Sequence, residues 1–238
     1  MRMHLPKPRS PGWQVGDVPV AVRRWPQLAL LAELLLALLL AGYEWFSLYK
    51  LVLLLLLASQ SLWIRGLGWA SVGLGRPPAL LRAVLQGTVA AAIVLVAVRL
   101  VIVPLAVAVT GVSVDLSQVE AVRDDPGTLW IWIAQAVTLA AVGEELVFRG
   151  YLIRRVADLF GQSRLGLSIG LVISSMGFGW AHRYQGEAGM VATGLIGALL
   201  ALLYLRTRSL WPVIICHALV DVTSLVVIYF GHRSWLFR

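Results

Sequence analysis

Residues 129–152 read LWIWIAQAVTLAAVGEELVFRGYL. At about 1.5 Å of rise per residue, a helix of this length exceeds a hydrocarbon core of about 30 Å, so the stretch reads as a membrane span. It nevertheless carries Glu144, Glu145 and Arg149. An ionised side chain at the bilayer centre costs roughly 2.5 to 3.5 kcal/mol even on lenient insertion scales. Three such groups are sustainable only where they face the interior of a bundle and partly neutralise one another. The stretch therefore predicts an all-α, polytopic transmembrane helical bundle with a polar site inside it.

The rest of the chain agrees. Of 238 residues, 59% are hydrophobic and only 13% charged, against about 25% charged in soluble domains. Seven spans are predicted, near 27–43, 47–64, 83–109, 129–152, 165–182, 188–205 and 210–230. The first two are separated only by Tyr43, Glu44 and Trp45 and can also be read as one broken segment. Residues 1–26 form a polar tail rich in Pro and Gly, and 27–238 a single transmembrane domain. The tail is not expected to be a signal peptide, because no small-residue cleavage motif follows the apolar run from Leu28. The single cysteine, Cys216, excludes an internal disulfide and a cysteine-rich metal site, and is expected to pack a helix seam.

A formal net charge of +8 raises nucleic acid as a partner, but the placement of the charges argues against it. Arg2, Lys7, Arg9, Arg23 and Arg24 precede the first span. Arg65, Arg76 and Arg82, then Arg154, Arg155 and Arg164, then Arg206 and Arg208 fall in alternate loops. The other side receives Lys50, Arg123, Arg183, Arg233, Arg238 and the acidic loop VSVDLSQVEAVRDDPG. The positive-inside rule then puts the N-terminus in the cytoplasm and the C-terminus outside. The bilayer, not nucleic acid, is the expected partner. Trp25, Trp63, Trp130, Trp211 and Trp235 lie near predicted span ends as an aromatic belt would. Trp69 is the expected interfacial anchor of the Gly-punctuated connector 65–78.

Within span four, Glu145 and Arg149 are four residues apart on one helix face, with the carboxylate N-terminal, and are expected to pair. Glu144, rotated by about 100°, cannot use that geometry and is left free for a water or for other helices. In span five, His182 follows Phe178 by one turn, and Gly177 and Gly179 permit close helix approach while the phenyl ring lines a cleft. In span seven, His217 and Asp221 share a face; the carboxylate could orient the imidazole, or the two could hold a water or a metal. Ser224 and Thr223 are expected to satisfy themselves on the helix backbone. Glu33 and Arg99, in spans one and three, are expected to pair with each other, or Arg99 to snorkel.

Taken in order, Glu144-Glu145-Leu146-Val147-Phe148-Arg149, Phe178-Gly179-Trp180-Ala181-His182 and His217-Ala218-Leu219-Val220-Asp221 resemble the three motifs of the CPBP family. These are intramembrane proteases related to CAAX-prenyl endopeptidases and to bacteriocin-immunity proteins. The family pattern is Glu-Glu-x-x-x-Arg, Phe-x-x-x-His and His-x-x-x-Asn or Asp. The resemblance covers a catalytic core at about 129–230, and the connector RGLGWASVGLGRP also looks like the family's. It implies an endopeptidase in which Glu144 activates water and His182 helps to position it. His217 and Asp221 would then be metal ligands or oxyanion stabilisers, with Glu145, Arg149 and Phe178 in support.

Members are commonly labelled metalloproteases, and His182, His217 and Asp221 are the candidate ligands, for zinc if for any ion. A catalytic zinc wants three protein ligands and an open position, and Glu144 does not readily serve as both ligand and base. The His-Glu-x-x-His helix of soluble zinc proteases is absent. A metal-dependent and a metal-free, glutamate-dependent mechanism stand equally. The implied substrate is a membrane-anchored or membrane-proximal peptide, prenylated CAAX-type tails included, reached from the cytoplasmic leaflet. The expected location is a prokaryotic plasma membrane. The competing reading is a non-proteolytic immunity or scaffold protein of the same fold. A transporter is disfavoured, since no inverted hydropathy repeat is present. One tension remains: Glu144 lies toward the cytoplasmic half of span four, whereas His182 falls near the outer end of span five, so either span five is expected to begin later than Leu165 and extend through Gly186, or the helices are expected to be strongly tilted.

Overall fold

A computed structural model describes residues 27–42, 47–77 and 79–231. The tail with Arg2, Lys7, Arg9, Arg23, Arg24 and Trp25, the link Tyr43, Glu44 and Trp45, and Arg233, Trp235 and Arg238 lie outside the described residues. Among the described residues the long helices are α1 (Gln27–Gly42), α2 (Ser47–Ile64), α3 (Leu80–Thr110), α4 (Pro126–Leu159), α5 (Arg164–Ala181), α6 (Gly186–Thr207) and α7 (Trp211–Tyr229). Helices α3 to α7 are each long and apolar enough to cross a membrane, and α1 and α2 contain shorter apolar stretches, Leu30–Leu40 and Tyr49–Ile64. The protein is an all-α, polytopic membrane protein. Their outer faces carry exposed Leu36, Leu39, Leu85, Val89, Ile93 and Leu100, as a lipid-facing surface requires.

Two helices depart from regular α winding. In α3, residues Val98–Ile102 take the wider π form in the turn preceding Pro104. Proline has no N–H to donate to the carbonyl four residues back and its ring crowds that turn, so the helix widens there. In α4 the stretch Ala136–Leu152, which contains the Glu-Glu motif, is π-wound; such i→i+5 winding recurs at functional sites. The helix opens on an Asp125 cap that accepts from the backbone of Gly127 and Thr128, with Pro126 at the first position. The Thr128 hydroxyl, 2.7 Å away, holds the Asp125 carboxyl below its usual range.

The fourth helix runs a further seven residues beyond its predicted end at 152. Arg154 and Arg155, expected in a loop, are buried within it. Arg155 pairs with Asp158 at 2.9 Å, and Gln162 donates to the Arg154 carbonyl and to Asp158. A tight turn with Gly161 and Gln162 at φ of +65° and +59° then reverses the chain into α5.

The α4–α5 hairpin places the site. Along α5, the residues Gly166, Gly170, Ser174, Phe178 and His182 recur every four positions and form one stripe facing α4. A Cβ on Gly170 would lie 2.7 Å from the Ile153 carbonyl oxygen, and Ser174 Oγ donates to the Phe148 carbonyl at 2.7 Å. Phe178 meets Phe148 edge-on at 5.2 Å, and His182 reaches Glu144. The register is antiparallel throughout, so the extra residues of α4 bring Glu144 level with the end of α5. The tension over their depths is resolved by the length of α4 and not by a shifted span five, since α5 keeps nearly the bounds predicted for it. On the opposite side of α5, a Cβ on Gly179 would fall 2.5 Å from the Met190 carbonyl oxygen, which fixes the close approach to α6. Gly177 meets only Leu38 and Phe148 at ordinary distance.

Glu33 does not pair with Arg99. It accepts from Arg65 at 2.7 Å and from the Tyr151 hydroxyl at 2.5 Å, tying α1 and α2 to α4. Arg65, expected in a loop, is buried at the end of α2. The connector that follows docks on the α6–α7 turn: Tyr204 donates to the Val72 carbonyl at 2.8 Å, and Leu210 N to that of Gly73 at 2.9 Å. Trp211, expected in the aromatic belt, instead donates its indole N–H to the Gly75 carbonyl at 2.7 Å. Trp69 packs against both large core clusters, whereas Trp63 and Trp130 face outward as expected. Cys216 is fully buried in the larger cluster.

Candidate active site

Three helices contribute the motif side chains: α4 gives Glu144, Glu145 and Arg149, α5 gives Phe178 and His182, and α7 gives His217 and Asp221. Their convergence rests on one ion pair. Glu145 and Arg149, both wholly buried, meet at 2.8 Å. The same carboxylate oxygen, Oε1, accepts from His217 Nδ1 at 2.7 Å. Glu145 thus joins α4 to α7 as well as neutralising Arg149, a role that the four-residue spacing alone did not reveal. The guanidinium also donates to the Gly197 carbonyl at 3.3 Å and lies 4.2 Å from the centre of the Phe178 ring. A buried cation over an aromatic face gains from the ring quadrupole.

Phe178 is the hub of the packing. Besides Arg149 and Phe148, its ring meets His182 at 4.6 Å and His217 at 5.9 Å. Gly197 makes room for it: a Cβ there would stand 3.0 Å from the Phe178 ring and 3.3 Å from Arg149 Nη2. Neither Gly197 nor its part in the site was predicted. The signal lay in a small residue on α6, which nothing in a single sequence distinguishes from the many others.

Both histidines are oriented through Nδ1. His182 sits at the C-terminal cap of α5 and donates Nδ1–H to the Phe178 carbonyl at 2.8 Å. That leaves its Nε2 turned toward Glu144 Oε2, 4.0 Å away. His217, with Nδ1 on Glu145, turns its Nε2 toward Asp221 Oδ2 at 3.4 Å. Glu144 Oε2 has no hydrogen-bond partner among the described residues. A buried carboxylate oxygen without a donor is costly and calls for an exchangeable partner. Ser224 is satisfied by the Val220 carbonyl at 2.8 Å.

Glu144, Phe178, His182, His217 and Asp221 line a cavity of about 340 Å³, within the usual range for small-ligand sites of about 300 to 1,000 Å³. Its remaining walls are largely apolar and draw on three hydrophobic clusters, one of which contributes Leu51. Val98, Val103, Ala192 and Leu200 come from a second, and Ala136, Leu225 and Ile228 from the third. Val114, Leu116 and Val119 of the 111–125 loop close over it, and Asp115 N donates to the Gln185 carbonyl at 2.8 Å. The cavity therefore lies toward the end of the bundle bounded by this loop, opposite the end that carries Arg154, Arg155, Arg206 and Arg208.

The donor chemistry of two imidazoles and several carboxylates is that of a zinc site, yet the groups meet in pairs. Among the described residues, no set of three or more His, Cys, Asp or Glu is arranged to hold an ion. The arrangement as it stands is one of acid–base contacts, Glu144 with His182 and His217 with Glu145 and Asp221.

No curated protein and no solved structure matches the chain significantly. Residues 126–223 match the family described as type II CAAX prenyl endopeptidase, Rce1-like, and all seven motif residues lie within that match. A CPBP/Rce1-like CAAX-protease family domain is thus matched over part of the chain.

Proposed function

We propose that the protein is an intramembrane endopeptidase in which Glu144 activates water. The observation that carries this is the unpartnered Glu144 Oε2 facing His182 Nε2 across 4.0 Å. A gap of that width suits one water donating to both atoms. With Nδ1 committed to the Phe178 carbonyl, His182 offers only a lone pair at Nε2, so it orients the water and leaves the proton to Glu144. The oxygen attacks the scissile carbonyl as Glu144 takes the proton. His217, as imidazolium between Glu145 and Asp221, donates from Nε2 toward the oxygen that becomes negative. Glu144 then returns the proton to the leaving amine, and the peptide bond breaks to a carboxylic acid and an amine.

The substrate proposed is a membrane-anchored or membrane-proximal peptide, lipidated C-terminal tails among the candidates, because the largely apolar walls favour apolar side chains on either side of the bond. With the N-terminus inside, as the placement of arginines favours, the cavity faces the outer leaflet of a plasma membrane. The test is cleavage of internally quenched membrane peptides in detergent by wild type and by Glu144→Gln. Loss of a general base lowers turnover by about 10²- to 10⁴-fold. Equal turnover would remove Glu144 from the chemistry. A phenotype that survives Glu144→Gln, His182→Ala and His217→Ala at normal expression would favour a binding or immunity role instead.

A further inference from the structure

An oxygen that gains negative charge needs donors, and those around the cavity can be counted among the described residues. His182 has spent its Nδ1–H on the Phe178 carbonyl. Thr193 and Ser224 donate to the Gly189 and Val220 carbonyls, one turn back on their own helices, at 2.8 Å each. Arg149 lies behind Phe178, outside the cavity lining, with Nη1 on Glu145 and Nη2 on the Gly197 carbonyl. His217 retains only Nε2, which faces Asp221. Trp132 and Gln135 line the wall from the start of α4, roughly 10 Å or more along the helix from Glu144. The three motifs thus leave the site short of donors.

Tyr184 is differently placed. It stands two residues beyond His182 in the short turn Arg183–Gln185, lines the same cavity, and sets its ring 5.7 Å from the His182 ring at 35°. Its hydroxyl accepts from Gln185 Nε2 at 3.3 Å, and its own proton has no acceptor among the described residues. A hydroxyl that accepts a hydrogen bond is polarised to donate more strongly. The turn itself is held by the 2.8 Å bond from Asp115 N to the Gln185 carbonyl.

We propose that Tyr184 is a further catalytic residue, its hydroxyl donating to the scissile carbonyl oxygen and, with His217, forming the oxyanion site, while Gln185 positions the phenol. The proposal rests on the hydrolase reading above. The phenol keeps its proton throughout, so the step adds no bond change to the hydrolysis.

Tyr184→Phe removes the hydroxyl and keeps the ring against His182. With an internally quenched peptide that wild type cleaves, kcat falls about 10²- to 10³-fold, the usual effect of losing one oxyanion donor, and KM changes little. Affinity for a phosphinic peptide of the same sequence, which mimics the tetrahedral intermediate, falls in parallel. Binding of the uncleaved peptide to Glu144→Gln is unchanged by adding Tyr184→Phe. Wild-type kcat and phosphinate affinity in Tyr184→Phe overturn the proposal, as does a change confined to KM. Equal cleavage by wild type and Glu144→Gln is a separate outcome, which removes the hydrolase reading and this inference with it.

Discussion

With one Glu145 oxygen shared between Arg149 at 2.8 Å and His217 at 2.7 Å, support and chemistry meet in a single atom. Arg149→Ala leaves the carboxylate in a wholly buried position with only the imidazole against it. Breaking one side of a buried pair costs about 3 to 5 kcal/mol, so this variant loses thermal stability in detergent along with activity. Glu144 makes no such pair, and its replacement by Gln keeps shape and volume. Glu144→Gln therefore loses turnover with little change in melting temperature. A fully stable but inactive Arg149→Ala would move the arginine from support into the reaction itself.

At the scale of the element, the α4–α5–α6 packing depends on positions where no side chain fits. A Cβ on Gly179 would lie 2.5 Å from the Met190 carbonyl oxygen, and backbone cannot swing aside as a side-chain tip can. Gly179→Ala is expected to cost about 1 to 3 kcal/mol as an overpacking substitution. Gly177→Ala, whose Cβ would meet Leu38 at 3.4 Å, is expected to be tolerated. Thermal denaturation of the two in the same detergent compares them, and equal melting would contradict the packing argument. The stripe from Gly166 to His182 was open to a reader of the sequence as a four-residue repeat of small residues leading to the motif. Its register against α4 was not, because that depends on where α4 ends.

For the whole molecule, the question is whether the pairwise arrangement of His182, His217, Asp221 and Glu144 is the working one. On the proposed mechanism, protein purified without a histidine tag carries no stoichiometric ion and keeps its activity in a strong chelator. Elemental analysis of wild type and His217→Ala tests this directly. About one equivalent of zinc in wild type, released by His217→Ala, would instead make His182, His217 and Asp221 ligands, since each ligand contributes to affinity. The bilayer enters the same argument. The cavity walls and the outer faces of the helices are both largely apolar, so a soluble peptide is expected to be cleaved far more slowly than the same sequence tethered to a membrane anchor, in a vesicle assay.

Hydropathy by itself placed the helices, because the transfer cost of each residue is a local quantity summed along a window. It also found the pairs Glu145–Arg149 and His217–Asp221, since helical spacing puts residues four apart on one face. It misjudged the end of α4, because Ile-Arg-Arg-Val-Ala-Asp-Leu reads as a polar exit until Arg155 is seen neutralised by Asp158. It offered Arg99 as the partner of Glu33, where the structure has Arg65, and it could not see that Glu145 reaches His217 across 72 positions. Tyr184 carried no sequence signal either, lying just past a recognised motif in a turn that only its stacking on His182 makes part of the site. Tertiary structure decided these because the partner of a buried charge depends on the rotation and register of whole helices, and those are set by packing between segments distant in sequence.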